Sequence, residues 1–319
     1  MFNLAKITLN TFTESIREPV YFLMLFSGLV LIGHYPSAAL FVFSEQLKLV
    51  VDSSMATGML FGLIASILCS SYTVSREMRN GTVLLLLAKP VFRWSFVLGK
   101  IIGIALAATL FTVICNFATI ISVYIACDQF RMDMNVYYLY MGALAVVCLL
   151  GMAANYLKGS SFSEICCYAL VVIIPIFALL CLKFRPEPTL KLVDLAKALV
   201  LINFAVVMMS TLAVVFATRL DVVANLLVSA LVFFLGLMSS YLFKTQSDFE
   251  LVNWIFAGFY AIVPNWQYFW LADAIAVNRP IPTGYLINAA VYMIVYVVIA
   301  AMWAVALFQN KEVAGDGRM

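Results

Sequence analysis

Eight stretches of this sequence, at about 20–42, 55–74, 97–127, 136–156, 164–183, 196–217, 221–243 and 285–308, are almost wholly apolar. A helix rises about 1.5 Å per residue, so ~20 such residues match the ~30 Å hydrocarbon core of a bilayer. Within lipid every backbone N–H and C=O must be paired internally, which leaves helices or closed barrels. The runs are unbroken rather than alternating, so the chain reads as an all-α integral membrane protein. The predicted architecture is a polytopic bundle of about eight transmembrane helices in a single domain, residues 1–319. Composition agrees: 65% of residues are hydrophobic and 11% charged, where a soluble domain carries about 25% charged residues. A soluble enzyme, a disordered tail and a secreted disulfide scaffold are excluded. The net charge of +3 comes from scattered Lys and Arg, so no nucleic-acid stripe is present.

The chain opens with MFNLAKITLNTFTESIREPV, which is polar-mixed and has no cleavable-signal pattern. Phe2, Ala5, Leu9, Phe12 and Ile16 recur at spacings of three and four, which predicts an amphipathic interfacial helix over residues 1–19 that ends where Pro19 turns the chain inward. Eight spans put both termini on one side. The connection with the most basic residues carries Arg76, Arg79, Lys89, Arg93 and Lys100, so the positive-inside rule makes it and both termini cytoplasmic. The count is 11 Lys and Arg inside against 8 outside. The fourth and fifth stretches read either as two full spans or as re-entrant or tilted segments. Residues 244–284 form the long outer connection, where three Trp, three Phe and two Tyr between Val252 and Ala276 suit helices at, or dipping into, the outer interface.

Sites for chemistry are scarce. The seven cysteines lie in or beside apolar runs without metal or disulfide spacing, and His34 has no neighbouring ligand. The fifteen methionines are not clustered as copper ligands would be. No phosphate loop, nucleophile elbow, metalloprotease motif or carboxylate pair occurs, so no catalytic residue and no metal site is assigned. Directed work would need nucleotide chemistry on another polypeptide.

The most informative stretch is YTVSREMRNGTVLLLLAKPVFRWSFVLGK, Tyr72 to Lys100. Asn80-Gly81 can stop a helix, Thr82 can cap a new one, and Val83 to Leu87 makes a short apolar turn before Lys89-Pro90. Such a face outside the membrane marks either a docking site or a contact with the lipid interface. With Glu77, Gly81-Thr82, the leucine run, Lys89-Pro90, Arg93 and Gly99-Lys100, this stretch resembles the signature of type-2 ABC transporter permeases. The resemblance extends over most of the chain: Arg17-Glu18-Pro19, the turn Arg219-Leu220-Asp221, Pro264-Asn265 in the aromatic segment and a last span with a short charged tail follow in order. It is nearest to the branch linked to multicopper-enzyme maturation. The stretch 136–183 adds a helix pair to that family's six-helix core.

The resemblance implies a permease subunit of the bacterial inner (plasma) membrane, paired with a second permease subunit, identical or paralogous. It also implies a cytoplasmic ABC ATPase that holds ATP and Mg, no cofactor being bound by this chain. Residues 76–97 would be the coupling loop, with Arg76, Glu77, Arg79, Gly81, Thr82, Leu84, Leu85, Leu86, Leu87, Pro90 and Arg93 gripped by the ATPase. The work done would be export of an amphipathic or lipid-like substrate, or mechanical action on an envelope partner.

Gly58, Gly62, Ser66 and Ser70, and likewise Gly99 and Gly103, repeat every four residues, which lets helix backbones approach in lipid. Asn203, Ser210, Thr211, Asn225 and Ser229 are polar residues at depth that either line a transport path or bond between helices. The alternative function is a secondary transporter or channel independent of an ATPase, which would need charges buried in the membrane as a relay.

Overall fold

A computed structural model describes residues 2–42, 46–79, 93–127, 131–184, 190–243 and 250–309. Eight of its helices are long and apolar enough to cross a membrane, and the chain is a multi-pass, all-α membrane protein. In order these spans are α2 (Pro19–Ala38), α3 (Gln46–Ser70), α5 (Arg93–Ile125), α6 (Met134–Lys158), α7 (Phe162–Phe184), α8 (Leu192–Ala217), α9 (Val222–Phe243) and α12 (Thr283–Gln309). The amphipathic α1 (Phe2–Arg17) precedes them. A π-helical turn, Ser71–Ser75, joins α3 to the short α4 (Arg76–Arg79). A two-residue ladder, Ala126–Cys127 with Arg131–Met132, closes the α5–α6 connection.

The helix limits follow from local chemistry. Pro19 occupies the first turn of α2 after an extended Glu18, where its missing N–H costs nothing. The Asp133 carboxylate accepts from the N–H groups of Asn135 and Val136 at the start of α6. That helix stops at Gly159, whose φ of 63° satisfies the left-handed C-terminal position. The 136–183 region therefore forms two complete membrane-length helices rather than a re-entrant pair. They dock on α2, where the Tyr140 hydroxyl donates to the Leu29 carbonyl at 2.9 Å and its ring fills the space left open by Gly33.

The centre of the bundle is α3, α5 and α8. At Gly62 an added Cβ would meet the Thr112 methyl at 2.8 Å and Val206 at 3.3 Å, so this glycine sets how closely the three backbones approach. Gly58 faces Cys115 on the same seam, while the Ser66 and Ser70 hydroxyls donate to carbonyls of their own helix. The second small-residue ladder seats α1 instead. Gly99 lies against Ile7, and a Cβ at Gly103 would come within 2.7 Å of Thr11 Cβ and 2.8 Å of the Thr8 carbonyl. Thr8, Thr11, Ser15 and Ile16 are buried there while Leu9 is exposed, so most of the buried face is small and hydroxylated and Leu9 of the expected apolar stripe points outward. Phe12 and Ile16 of the stripe still pack inward, whereas Ala5 and Leu9 share the exposed face with Lys6 and Asn10. Gly103→Val is expected to dislodge α1 at a cost of about 1–3 kcal/mol, the range of an overpacked site. A lower unfolding temperature in detergent and new proteolysis within residues 2–17 would register it.

The described part of the connection between α9 and α12 folds back into the bundle. α10 (Glu250–Ile262) has 13 residues, about 20 Å of helix, too short to cross. It leads to Pro264 and Asn265, then to a 3₁₀ turn (Trp266–Phe269) and α11 (Ala272–Ala276). Gly236 touches the Pro264 carbonyl and Trp266, and it lies seven residues, or ~10 Å, below the end of α9. The elbow thus sits well inside the bundle. Non-helical backbone at such depth survives only when its polar groups are satisfied by protein, and α12 supplies the partners. Tyr296 donates to the Ile262 carbonyl at 3.0 Å, Tyr292 accepts from the Asn265 N–H at 3.2 Å, and Tyr285 donates to the Tyr268 carbonyl at 2.7 Å. The Asn265 amide reaches Ser240 and Tyr260, and Trp266 and Phe269 are fully buried. Above the elbow, Asp194 accepts from the Ile281 N–H and Lys197 donates to the Ile281 carbonyl, pinning the return strand to α8.

Candidate functional site

The charged residues of four elements meet at the end of the bundle that carries α1. Lys100, two turns into α5, is only 3% exposed. Its ammonium lies 2.9 Å from Glu77 Oε1, 3.3 Å from Glu14 Oε2 and 3.4 Å from the Thr73 carbonyl. An ammonium has three donors, and three oxygens from α4, α1 and the π-helical turn meet them. The Phe96 ring lies beneath the same group at 5.9 Å. Burial pushes the Glu77 carboxyl above its ordinary value, with Lys100 pulling in the opposite direction. Nearby, Arg17 at the end of α1 forms a two-pronged pair with Glu164 in the first turn of α7, at 2.8 and 3.1 Å. An open cleft of about 380 Å³ separates these two clusters, lined by Asn10, Thr13, Glu14, Arg17, Glu18, Pro19 and Glu77.

This arrangement joins the two described flanks of residues 80–92. Glu77 and Lys100 stand at the two roots of residues 80–92, and their ion pair holds the roots together. Of the predicted coupling residues, Arg76 is exposed on α4, Glu77 is the partner of Lys100, Arg79 ends α4, and Arg93 opens α5 with its side chain exposed. Gly81, Thr82, Leu84, Leu85, Leu86, Leu87 and Pro90 lie outside the described residues. Lys100 belongs to the signature-like stretch but was not placed among the coupling residues, and Glu14 was not singled out from sequence. The available signal was a lysine five residues beyond the Trp94-Ser95 start of an apolar helix, since a charge at such a position requires a partner.

A second network links the same region to α8 and α9. The Ser75 hydroxyl bridges the carbonyls of Ala217 and Leu220 at 3.0 and 2.9 Å. The buried Asn225 amide donates to the Ser71 hydroxyl at 2.8 Å and to the Ala213 carbonyl at 3.2 Å, while its oxygen accepts from Ser229. Arg219, in the same turn, donates to the Leu307 carbonyl near the end of α12. Asn203 meets Thr112 across α8 and α5 and donates to the Leu199 carbonyl, and Ser210 and Thr211 both donate to the Val207 carbonyl. The polar residues at depth thus bond between and within helices. Set beside known proteins, the sequence matches no family model and no curated protein, so the reading of this site rests on its residues and their geometry.

Proposed function

We propose that this chain is the membrane-spanning permease subunit of a type-2 ABC transporter, which converts closure of a separate cytoplasmic ATPase into movement of its helices. The observation that carries the reading is the Glu77–Lys100 pair at 2.9 Å. Two charged residues of the signature-like stretch staple the roots of the loop, so a force on residues 80–92 is delivered at once to α3, α5 and, through Glu14, to α1. The ATPase docks on the loop from Arg76 to Arg93, and ATP with Mg is bound and hydrolysed there rather than on this chain. A second permease subunit, identical or paralogous, completes the complex. The end bearing Arg17, Arg76, Arg93, Lys100, Lys158 and Arg219 faces the cytoplasm of a bacterium and the aromatic elbow faces outward, with the chain in the inner membrane. The cargo is an amphipathic or lipid-like molecule, or the movement acts mechanically on an envelope partner.

The ATPase-independent reading needs a relay of charges across the bilayer. Among the described residues every charged side chain within a membrane helix lies about two turns or less from a helix end, which favours the driven permease. A photo-crosslinking amino acid at Leu85, introduced into the chain in native membranes, is expected to capture an ATPase subunit under light. The same probe at Leu149, on the exposed face of α6, is expected to capture none. Equal yields at both positions, or no ATPase at Leu85, would remove the docking assignment.

A further inference from the structure

We infer that the π-helical turn Ser71–Ser75 is a slip joint, which can absorb or release one residue of helix between α3 and the loop root and so lets α4 turn without unfolding α3. The turn carries one residue more than an α-helix would: the Arg76 N–H reaches back five residues to the Ser71 carbonyl. Such insertions recur at functional sites. Regularising it would rotate everything beyond it by about 100° and advance it by about 1.5 Å, which takes Glu77 off Lys100.

The surroundings are built to tolerate both registers. The turn and the residue before it are rich in short hydroxyls. Ser70 and Ser71 both donate to the Ile67 carbonyl at 2.8 Å, and Thr73 donates to the Cys69 carbonyl at 2.7 Å, so carbonyls at the irregular turn keep a local donor. Lys100 reaches the Thr73 carbonyl directly. On the far side Asn225 and the carbonyls of Ala217 and Leu220 hold Ser71 and Ser75. The Glu77–Lys100 pair is the latch for the π register, and the α8–α9 turn is the element that senses its release through Ser75. The inference rests on the coupling-loop reading only for what opens the latch in the cell. The joint itself belongs to this chain and can be tested without any ATPase.

Spin labels at Arg76→Cys and at Val223→Cys, which is exposed at the start of α9, report the position of α4 in the full chain in lipid nanodiscs. With the latch removed by Lys100→Met, the distance distribution is expected to gain a second population. Deleting Tyr72 takes out the surplus residue, and in that background Lys100→Met is expected to leave a single population. An unchanged distribution on Lys100→Met, or a second population that persists after the deletion, would overturn the joint. Hydrogen exchange on the undeleted chain supplies a check that does not depend on the deletion folding. Lys100→Met should speed exchange of the Tyr72–Glu77 amides by about tenfold or more while Gly62–Ser66 stay unchanged, as local opening requires. Equal rates in both segments, with and without Lys100, would contradict it.

Discussion

A Gly236→Leu chain is expected to lose the re-entrant elbow and most of its folded population in detergent. Even a Cβ at this position would collide with the Pro264 carbonyl and the indole of Trp266, and a whole leucine has nowhere to go because both neighbours are buried. Overpacking of a filled site costs about 1–3 kcal/mol. Here the displaced group is backbone, and its movement also strands the hydrogen bonds that Tyr292 and Tyr296 make with Asn265 and Ile262. A loss of about 4 kcal/mol or more follows when one or two stranded polar groups are added. Gly258→Leu is the control: on α10 nothing lies within 4 Å of its Cβ position, so the change should stay within about 0.5 kcal/mol. Thermal unfolding followed by tryptophan fluorescence distinguishes the two, because Trp266 is wholly buried in the native elbow.

Lys100→Met is expected to be nearly as damaging, by about 2–4 kcal/mol, since it leaves carboxylates without their buried cation. The lower part of that range allows for the partial exposure of Glu77 and Glu14, 20% and 35%. The effect depends on pH with a definite sign. Burial holds the Glu77 carboxyl above its ordinary value. A group whose folded pKa is raised contributes its stability below the unfolded pKa and loses it as pH rises through the folded one. Removing the ammonium takes away the influence that opposed burial, so the Lys100→Met deficit should be greatest at neutral pH and shrink as acid protonates Glu77. Adding Glu77→Gln to Lys100→Met should recover a large part of the loss, because the carboxylate most buried around Lys100 is then neutral. Chemical denaturation in mixed micelles from pH 7 down to the carboxylate range measures both. A deficit that grows in acid would show that the pair is not what holds the loop roots.

The spans themselves were legible because lipid imposes one rule on every residue that faces it. The apolar runs located all eight, and the 136–183 pair proved complete once Asp133 and Gly159 were seen to cap α6. The helix limits were less legible. α3 begins at Gln46, nine residues before its apolar run, since Gln46 and Ser54 are buried against protein rather than lipid. Hydropathy registers the solvent a residue would prefer and not the neighbour it has. The same reason hid the α1 face, where Thr8, Thr11 and Ser15 meet Gly99 and Gly103. An aromatic concentration between α9 and α12 was visible in the composition, but the depth of its elbow in the bundle was not. That depth is set by one glycine on α9 and three tyrosines on α12, spaced seven and four residues apart. The charged cluster was half visible. Glu77 belongs to the signature-like stretch, whereas Glu14 joins Lys100 across 86 residues of sequence, a distance no local pattern encodes.

The most direct test of the central claim is affinity purification of the tagged chain from its native membranes in mild detergent, beside a Glu77→Ala, Leu85→Glu variant. Mass spectrometry and ATP hydrolysis are measured on both eluates. The expected result is a stoichiometric ATPase with the wild-type chain and its loss from a variant that is still folded. A wild-type chain that emerges intact and alone under several mild conditions would contradict the coupling-loop assignment and move the ATPase-independent transporter ahead.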